Sequence, residues 1–319
     1  MDKVKFSVFS DLHLGRGVNG SGTSHYWCDG IDERLDVILE RAKKENVDFI
    51  IHCGDFASNL ELDKEGIEKY NNFEISTYHV LGNHDLDVSP LDEVVKCYKM
   101  PAEYYYFDKN GFRFVALNAN YLRIDGEDVP YSEGNYYYHG KDRNYISREQ
   151  LKWFEETVMT SPYPVITFAH AELSRVKGQA DAWKNVDEFH NIIEEAHKNN
   201  KRVLMCFGGH YHVDRLLIQN HVCYMMVNSA TMYWQPTVHH LFPEELHENH
   251  PGCQRCLIYN DPVHAVVTVY EDGKIEIDGM RSTFYNDVDL EKVCGKTHWD
   301  EVPVTPHVLS EKLWLPIEL

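Results

Sequence analysis

The stretch "VKFSVFSDLHLG", residues 4–15, decides the fold class because a strand pattern ends directly in two polar side chains. Residues 4–9 alternate large apolar side chains with lysine and serine, which is typical of a β-strand with one buried face. Asp11 and His13 follow where this strand ends. Taken alone, an Asp-x-His pair is a common feature of solvated loops. Its meaning therefore depends on whether other strands end in the same way.

Four further predicted strands also end in polar groups. Asp55 follows a strand at 48–53, and Asn83, His84 and Asp85 follow one at 77–81. His170 follows a strand at 165–169, and His210 and His212 follow one at 203–207. In open α/β sheets, ligands bind beyond the carboxyl ends of the strands. Five such endings in one chain indicate a shared site rather than five unrelated loops.

The order of predicted elements favours sheets packed between helices. Further strands are predicted at 112–117, 222–227, 266–270 and 274–278, and helices at 31–42, 147–158 and 186–196. Helices and strands alternate through the first two-thirds of the chain, and strands dominate later. Without an internal repeat or a Pro/Gly-rich linker, the 319 residues are interpreted as a single domain, 1–319. We also predict an insertion loop at about 232–262 and a polar C-terminal tail at 281–319.

Charge and composition narrow the classes of partner. The net charge is −20, from 51 acidic and 31 basic residues, so a nucleic-acid partner is not expected because phosphate backbones are repelled. The longest apolar runs are too short to span a membrane. The N-terminus enters a strand pattern without a leader, and the cysteines fall in apolar runs, so a cytoplasmic location is expected.

The polar side chains at the strand ends favour a binuclear metal centre. Two carboxylates, one amide and four imidazoles are too many ligands for one tetrahedral zinc ion, and there is no thiolate. They suit two divalent ions about 3.5–4 Å apart that share one carboxylate. Mn, Fe and Zn all accept such ligands. Glycines at 54, 82, 208 and 209 let the backbone turn sharply and pass close to the metals.

The motifs "DLH", "GD", "GNHD", "H" and "GHYH", between Asp11 and His212, resemble in order those of the calcineurin-like metallophosphoesterases. The resemblance implies an α/β fold, a four-layer α/β/β/α sandwich with two mixed sheets. It also implies two sets of metal ligands that share Asp55. The first set is Asp11, His13, Asp55 and His212, and the second is Asp55, Asn83, His170 and His210. Within the family, the motifs look most like those of the bacterial phosphodiesterases related to cyclic-nucleotide and glycerophosphodiester enzymes.

The predicted function is therefore metal-dependent hydrolysis of a small phosphate ester. The hypothesis is that a metal-bridging hydroxide attacks phosphorus while His84, held and kept cationic by Asp85, protonates the leaving group. A small phosphodiester, such as a cyclic nucleotide or a glycerophosphodiester, is the favoured substrate. A phosphomonoesterase, a nucleotide pyrophosphatase and a non-catalytic binding module of the same fold are the alternatives. No membrane partner is expected, and a homodimer is left open.

Several aromatic and polar residues near these motifs have two interpretations. Tyr104–Tyr106 and Tyr136–Tyr138 are predicted to be half-buried rather than substrate-binding. Tyr26 and Trp27 are better placed for substrate, and Arg16 either holds a phosphate or is solvated. The segment "HENHPGCQRC" is interpreted as a polar insertion loop, with a structural zinc on His247, His250, Cys253 and Cys256 as the alternative.

Overall fold

Two six-stranded sheets contain all nine of the predicted strands. The computed structural model describes residues 3–14, 31–140, 142–175, 183–234, 256–299 and 301–315. In spatial order the first sheet contains β19 (Glu311–Trp314), β16 (Lys274–Gly279), β15 (Ala265–Tyr270), β1 (Lys3–Phe9), β2 (Phe49–His52) and β3 (Thr77–Tyr78). Strands β1, β2 and β3 are parallel, whereas β15, β16 and β19 pair antiparallel. The sheet is therefore mixed, as predicted.

The second sheet is also mixed. Its strands in spatial order are β11 (Arg215–Gln219), β12 (Val222–Met226), β10 (Val203–Gly208), β9 (Val165–Phe168), β5 (Phe112–Ala116) and β4 (Tyr105–Lys109). The four central strands are parallel to one another, and the two edge strands are antiparallel. The predicted polar side chains begin at the carboxyl ends of two of these central strands, β9 and β10, as they do at those of β1 and β2.

Helices and short strands complete the described part of the chain. The helices are α1 (Ile31–Lys44), α2 (Lys64–Asn71), α3 (Leu91–Cys97), α4 (Arg148–Met159), α5 (Val186–Lys198) and α6 (Leu290–Cys294), with 3-10 turns at His84–Leu86, Asn135–Tyr138 and Tyr285–Asp287. The described residues also form three small sheets. The first contains, in spatial order, β7 (Glu127–Pro130), β6 (Tyr121–Ile124) and β8 (Arg143–Tyr145). The second pairs β13 (Met232–Trp234) with β14 (Cys256–Ile258), and the third pairs β17 (His298–Trp299) with β18 (Val302–Pro303). None of the described helices is both long and apolar enough to cross a bilayer.

The two large sheets pack face to face through aromatic side chains. Phe6 of β1 contacts Phe114, Phe168 and Phe207 of the second sheet, with ring centroids 5.7, 5.8 and 5.7 Å away. Because side chains alternate along a strand, Phe9 belongs to the opposite face of the first sheet. There its ring packs edge-on against Tyr70 of α2, at 5.9 Å. One face of the first sheet thus meets the second sheet, and the other meets a helix.

A second apolar core covers the outer face of the second sheet. Val115 of β5 belongs to this core, together with Phe154 of α4 and Phe189 of α5, whose rings stack at 5.0 Å. Its neighbours on β5, Phe114 and Ala116, belong to the core between the sheets. The order helix, sheet, sheet, helix confirms the predicted four-layer sandwich.

The predicted tail and insertion loop contain ordered elements. Residues 311–314 of the tail form β19, which pairs with β16 at the edge of the first sheet. The two ends of the insertion loop, β13 and β14, pair with each other. Residues 235–255 lie outside the described part of the chain. The assignment of the whole chain to a single domain stays a prediction.

Gln150 is expected to anchor α4 to the end of the second sheet. Ser147, the N-cap residue of α4, accepts a hydrogen bond from the Gln150 backbone N–H. The buried Gln150 side chain accepts from the Asn118 backbone N–H at 2.8 Å and donates to its carbonyl at 2.8 Å.

Gln150→Met leaves both buried groups of Asn118 unpaired and is expected to lower the free energy of unfolding in urea by about 2 kcal/mol or more. Ser147→Ala, which removes the cap and keeps Gln150, is expected to cost about 1 kcal/mol. A smaller loss for Gln150→Met than for Ser147→Ala would contradict this role.

Candidate metal centre

The structure brings the seven side chains predicted from the strand ends into two adjacent clusters. Asp11, His13 and His212 form the first cluster, and one ligand atom from each lies within 4.8 Å of the others. Asp55, His170 and His210 form the second cluster by the same measure. Asn83 adjoins the second cluster. This grouping is the one that the resemblance implies, and the individual ligand roles stay a prediction.

In the first cluster, a carboxylate and two imidazoles point at one another. His212 Nε2 lies 3.2 Å from Asp11 Oδ1 and 3.2 Å from His13 Nε2. All three side chains are almost completely buried, at 0% exposed for Asp11 and 1% for each histidine. Burial lowers the pKa of His13 and keeps its imidazole neutral, which is the form that binds a metal.

The second cluster is arranged around the imidazole of His170. Its Nε2 atom lies 3.1 Å from Asp55 Oδ2, 3.1 Å from Asn83 Oδ1 and 3.1 Å from His210 Nδ1. Burial disfavours a charged imidazole, but Asp55 and Asp11 outweigh it and raise the pKa of His170 to about 10. The cluster therefore attracts positive charge into a buried position.

Asp55 lies between the two clusters. Its Oδ2 atom is 3.1 Å from His170 Nε2 and 3.9 Å from His13 Nε2. Its Oδ1 atom accepts the His84 backbone N–H at 2.8 Å, which fixes the plane of the carboxylate. This placement suits a carboxylate that is shared by two cations.

Two imidazoles are oriented by backbone carbonyl groups. His170 Nδ1 donates to the Cys53 carbonyl at 2.8 Å, and His212 Nδ1 donates to the Met232 carbonyl at 2.9 Å. The Nε2 atom is therefore the one that each ring directs at its cluster, which is the orientation of a metal-bound histidine.

The donor set fits two divalent cations. Asp11 Oδ1 is fully buried, yet it accepts no hydrogen bond from the residues that the structure describes. Burial would raise the pKa of Asp11, but His212 and His170 hold it at about 2, so this oxygen is anionic. A buried anionic oxygen without a donor, beside two imidazole nitrogens 3.2 Å apart, is satisfied by a cation.

The seven predicted ligand side chains leave the backbone at unusual dihedral angles. Five of the seven lie in the left-handed region, with φ of 50° for Asp11, 51° for His13, 51° for Asp55, 74° for His210 and 53° for His212. Non-glycine residues rarely adopt this conformation, and those that do are concentrated at functional sites. His210 and His212 are therefore not aligned by the alternation of an extended strand. Strand β10 ends at Gly208, and the turn that follows sends the two imidazoles to different clusters.

Gly209 is required by the close approach of the Asp11 carboxylate. A Cβ atom at this position would collide with Ser10 Oγ and Asp11 Oδ2. Gly209→Ala is therefore expected to displace Asp11, to reduce the bound metal measured by elemental analysis, and to lower activity by about tenfold or more, at a cost of about 1–3 kcal/mol in stability. The matched control is Gly140→Ala, since a Cβ there has open space around it. Full metal content in Gly209→Ala would contradict the expectation.

His84 faces the first cluster, but Asp85 does not hold it. Its Nδ1 atom lies 2.9 Å from Asp87 Oδ2, and its ring centroid is 5.4 Å from that of His13. Burial opposes protonation of this imidazole, but Asp87 and Asp55 outweigh it and raise the pKa of His84 to about 9. The predicted pairing of His84 with Asp85 is wrong, and Asp87 takes that place. A 3-10 turn over His84–Leu86 explains the difference, because it brings residues three apart together.

Asp85 instead fixes the backbone of the loop that carries Asp55. Its carboxylate accepts the backbone N–H groups of Asp55, Phe56, Ala57 and Gly82 at 2.8–3.0 Å, and the hydroxyl of Tyr98 at 2.7 Å. These five donors use both carboxylate oxygens. Asp85 is thus a structural residue of the site, and the catalytic role predicted for it is not supported by its contacts.

Tyr136 belongs to the site, contrary to the prediction for the Tyr136–Tyr138 run. Its hydroxyl donates to Asp87 Oδ1 and accepts from Asn83 Nδ2 at 3.3 Å, so it turns the Asn83 oxygen towards His170. Tyr137 also donates to Asp87 Oδ1, at 2.9 Å. The Tyr104–Tyr106 run lies elsewhere: Tyr105 is buried and bonded to the His79 carbonyl. In the sequence, Asp87 lies three residues after His84, and this spacing could have indicated the contacts among His84, Asp87 and Tyr136.

A small pocket, with a cavity volume of about 50 Å³, opens beside the second cluster. It is lined by Asn83, His170, His210, Asn120, Tyr136 and Arg143, among others, and is named the side pocket. No residue of the side pocket beyond the predicted metal ligands was singled out as functional from the sequence.

Of the remaining predicted contacts, Arg16, Tyr26, Trp27, His247, His250 and Cys253 lie outside the described residues, and Cys256 is buried in β14. The structural zinc therefore stays a prediction.

Comparison with known proteins agrees with this geometry. The family model "Calcineurin-like phosphoesterase" matches residues 4–214. The chain is similar to proteins named manganese-dependent ADP-ribose/CDP-alcohol diphosphatase from Oryza sativa subsp. japonica and from Arabidopsis thaliana. The rice protein is 26% identical over 260 residues, 68% of this chain and 79% of its own length. The Arabidopsis protein is 25% identical over 264 residues, 68% of this chain and 82% of its own length.

Solved structures share the fold at low sequence identity. A dimetal phosphatase from Danio rerio superposes with a TM-score of 0.60 at 14% identity, over 89% of this chain and 99% of that one. The Plasmodium protein GAP50, described as the anchor in the inner membrane complex, gives 0.54 at 13% identity, over 99% and 90% of the two chains. The protein is a metal-dependent phosphoric ester hydrolase that uses two divalent cations. The family model spans most of the chain, and both clusters of aspartate and histidine lie within the matched residues. The chain therefore belongs to the calcineurin-like phosphoesterase family.

Proposed function

We propose that the enzyme hydrolyses the phosphoanhydride bond of nucleoside diphosphate diesters of the ADP-ribose or CDP-alcohol type, with manganese as its metal. The paired clusters that share Asp55 carry the hydrolase part of the proposal. The activity named for the rice and Arabidopsis relatives, which match more than two thirds of this chain, supports the substrate class and the metal. The nucleotide pyrophosphatase alternative thus becomes the first candidate.

The residues of the chain have separate tasks in this reaction. Two divalent ions, which the clusters would hold, would supply Lewis acidity and an acidified water nucleophile. In the net reaction the oxygen of a water bonds to phosphorus, and the bridging oxygen leaves with the electron pair of the broken P–O bond. His84, charged and held by Asp87, donates the proton that the leaving oxygen needs. Tyr136 keeps the Asn83 oxygen turned towards the second cluster.

A diester with a single phosphate is the second candidate substrate. The same clusters and the same proton donor would cleave a cyclic nucleotide or a glycerophosphodiester, and a monoester is the third candidate. The placement among bacterial phosphodiesterases, the cytoplasmic location, the absence of a nucleic-acid partner and a homodimer stay predictions of the sequence.

The test is a substrate panel on the purified full chain after chelation and reloading. ADP-ribose, CDP-choline, cyclic AMP, glycerophosphocholine and AMP are each offered with Mn²⁺, Zn²⁺ or Fe²⁺ at equal concentration. The proposal predicts the highest kcat/KM for the first two compounds with Mn²⁺, with AMP or CMP as a product. Faster cleavage of cyclic AMP or glycerophosphocholine would favour the second candidate instead.

A further inference from the structure

We infer that the side pocket binds the second phosphate of a diphosphate substrate and that Arg143 selects it. The inference rests on the proposed function and deepens it, since it names the residue that distinguishes a diphosphate from a single phosphate. The side pocket shares Asn83, His170 and His210 with the second cluster. A group attached to a phosphate held at that cluster therefore continues directly into the pocket.

The charge of the pocket walls favours an anionic group. Among the lining residues in the described part of the chain, Arg143 is the one permanent cation, and there is no carboxylate. This is unusual for a chain whose net charge is −20. A guanidinium group can donate two parallel hydrogen bonds to phosphate oxygens, so it suits the phosphate that follows the scissile one.

A chain of contacts connects the strand segment that carries Arg143 to the metal centre. Arg143 lies on β8 next to Asn144, whose side-chain oxygen accepts from the Tyr131 hydroxyl at 2.8 Å and whose backbone N–H donates to that hydroxyl at 3.0 Å. The Tyr131 ring stacks on Tyr136 at 4.6 Å and 15°. Tyr136 in turn accepts from Asn83. The pocket wall is thus built before a ligand arrives, which reduces the entropy cost of positioning.

Asn120 adds a site for a hydroxyl group. Its side-chain NH2 donates to the Leu81 carbonyl at 2.8 Å and to Asn118 Oδ1 at 3.0 Å, so its orientation is fixed. This leaves its Oδ1 atom as the acceptor of a residue that is only 4% exposed and lines the pocket. A fixed acceptor beside a phosphate-binding cation suits a sugar or alcohol hydroxyl. The pocket therefore fits a phosphorylated, hydroxyl-bearing group.

The experiment compares Arg143→Gln, Arg143→Lys and the matched control Arg148→Gln with the unaltered enzyme in Mn²⁺. Arg148 belongs to the same region but pairs with Asp128 and does not line the side pocket. For Arg143→Gln, kcat/KM for ADP-ribose is expected to fall about 10- to 100-fold, the effect of losing a charged hydrogen-bonding partner. Hydrolysis of bis-p-nitrophenyl phosphate, which has one phosphate, is expected to change by less than about threefold. Arg143→Lys should fall between these values for ADP-ribose, and Arg148→Gln should match the unaltered enzyme.

Competitive inhibition separates this inference from the proposed function. ADP and AMP are tested as inhibitors of bis-p-nitrophenyl phosphate hydrolysis, which does not require that any diphosphate is cleaved. The inference predicts that ADP inhibits the unaltered enzyme about tenfold more tightly than AMP, and that Arg143→Gln removes the difference. If ADP and AMP inhibit equally, or if Arg143→Gln lowers both substrates alike, the inference is overturned. If ADP-ribose is not cleaved but the ADP preference still depends on Arg143, the proposed function fails and the inference stands.

Discussion

Asp55→Asn is expected to lower kcat/KM by about 10³-fold or more, whichever substrate is used, and to reduce the bound metal from two ions to at most one. The reason is its position between the two clusters, 3.1 Å from His170 Nε2 and 3.9 Å from His13 Nε2. The amide keeps the size of the side chain and can still accept the His84 backbone N–H, but it removes the shared negative charge. Loss of the several kcal/mol that metal ions supply to the transition state corresponds to a rate loss of this order.

The measurement combines steady-state kinetics with metal content by elemental mass spectrometry. Asp108→Asn is the matched control, because Asp108 pairs with Arg113 and belongs to neither cluster. The control should retain two ions and full activity. Two tightly bound ions in Asp55→Asn, with activity reduced less than about tenfold, would falsify the assignment of Asp55 as the shared ligand.

His84→Asn is expected to lower kcat for a diester with an alkoxide leaving group, such as glycerophosphocholine, by about 10²- to 10³-fold while both metal ions stay bound. His84 lies 2.9 Å from Asp87 and faces the first cluster, yet none of its ring atoms belongs to either three-residue group. A general acid matters most when the leaving oxygen is strongly basic. With bis-p-nitrophenyl phosphate, whose leaving group needs no proton, the same variant is expected to lose less than about tenfold.

This dependence on the leaving group distinguishes proton donation from a structural role. Asp87→Asn should show the same pattern with a smaller loss, because it weakens the hold on His84 without removing the imidazole. His221→Asn is the control, since His221 is exposed on the turn between β11 and β12. An equal loss with both substrates, or a loss of metal from His84→Asn, would show that His84 supports the clusters rather than the leaving group.

The buried strands could be predicted from the sequence because their patterns are strong. Runs such as 203–207 and 165–169 consist of apolar residues that end in glycine or histidine, and the structure places β10 and β9 there. Strand β19 was missed since Glu311–Trp314 lies on the sheet edge and is mostly exposed, so it carries no apolar alternation. Strand β3 is shorter than predicted, because 79–81 continues as an extended loop towards Asn83.

The side chains that form the two clusters could be predicted from the sequence, but their supporting contacts could not. Each ligand is a polar residue at the end of an apolar run, which is visible in the sequence. The pairing of His84 with Asp87 depends on a 3-10 turn, and the position of Arg143 at the side pocket depends on the three-stranded sheet that contains β8. Such contacts come from tertiary packing, and nothing in the local sequence around Arg143 indicates them.

Each cluster takes donors from both large sheets. Asp11 and His13 follow β1 and Asp55 follows β2, whereas His170 follows β9 and His212 follows β10. A bound ion is therefore a cross-link between two halves of the sandwich, formed between residues as far apart in sequence as 11 and 212. Ligands that bind only the folded state add about 4 kcal/mol each at a thousand times their Kd. The temperature at which this enzyme unfolds should thus rise with the concentration of free cation and fall when a chelator is added. The lifetime of the folded enzyme therefore depends on the divalent ions available around it.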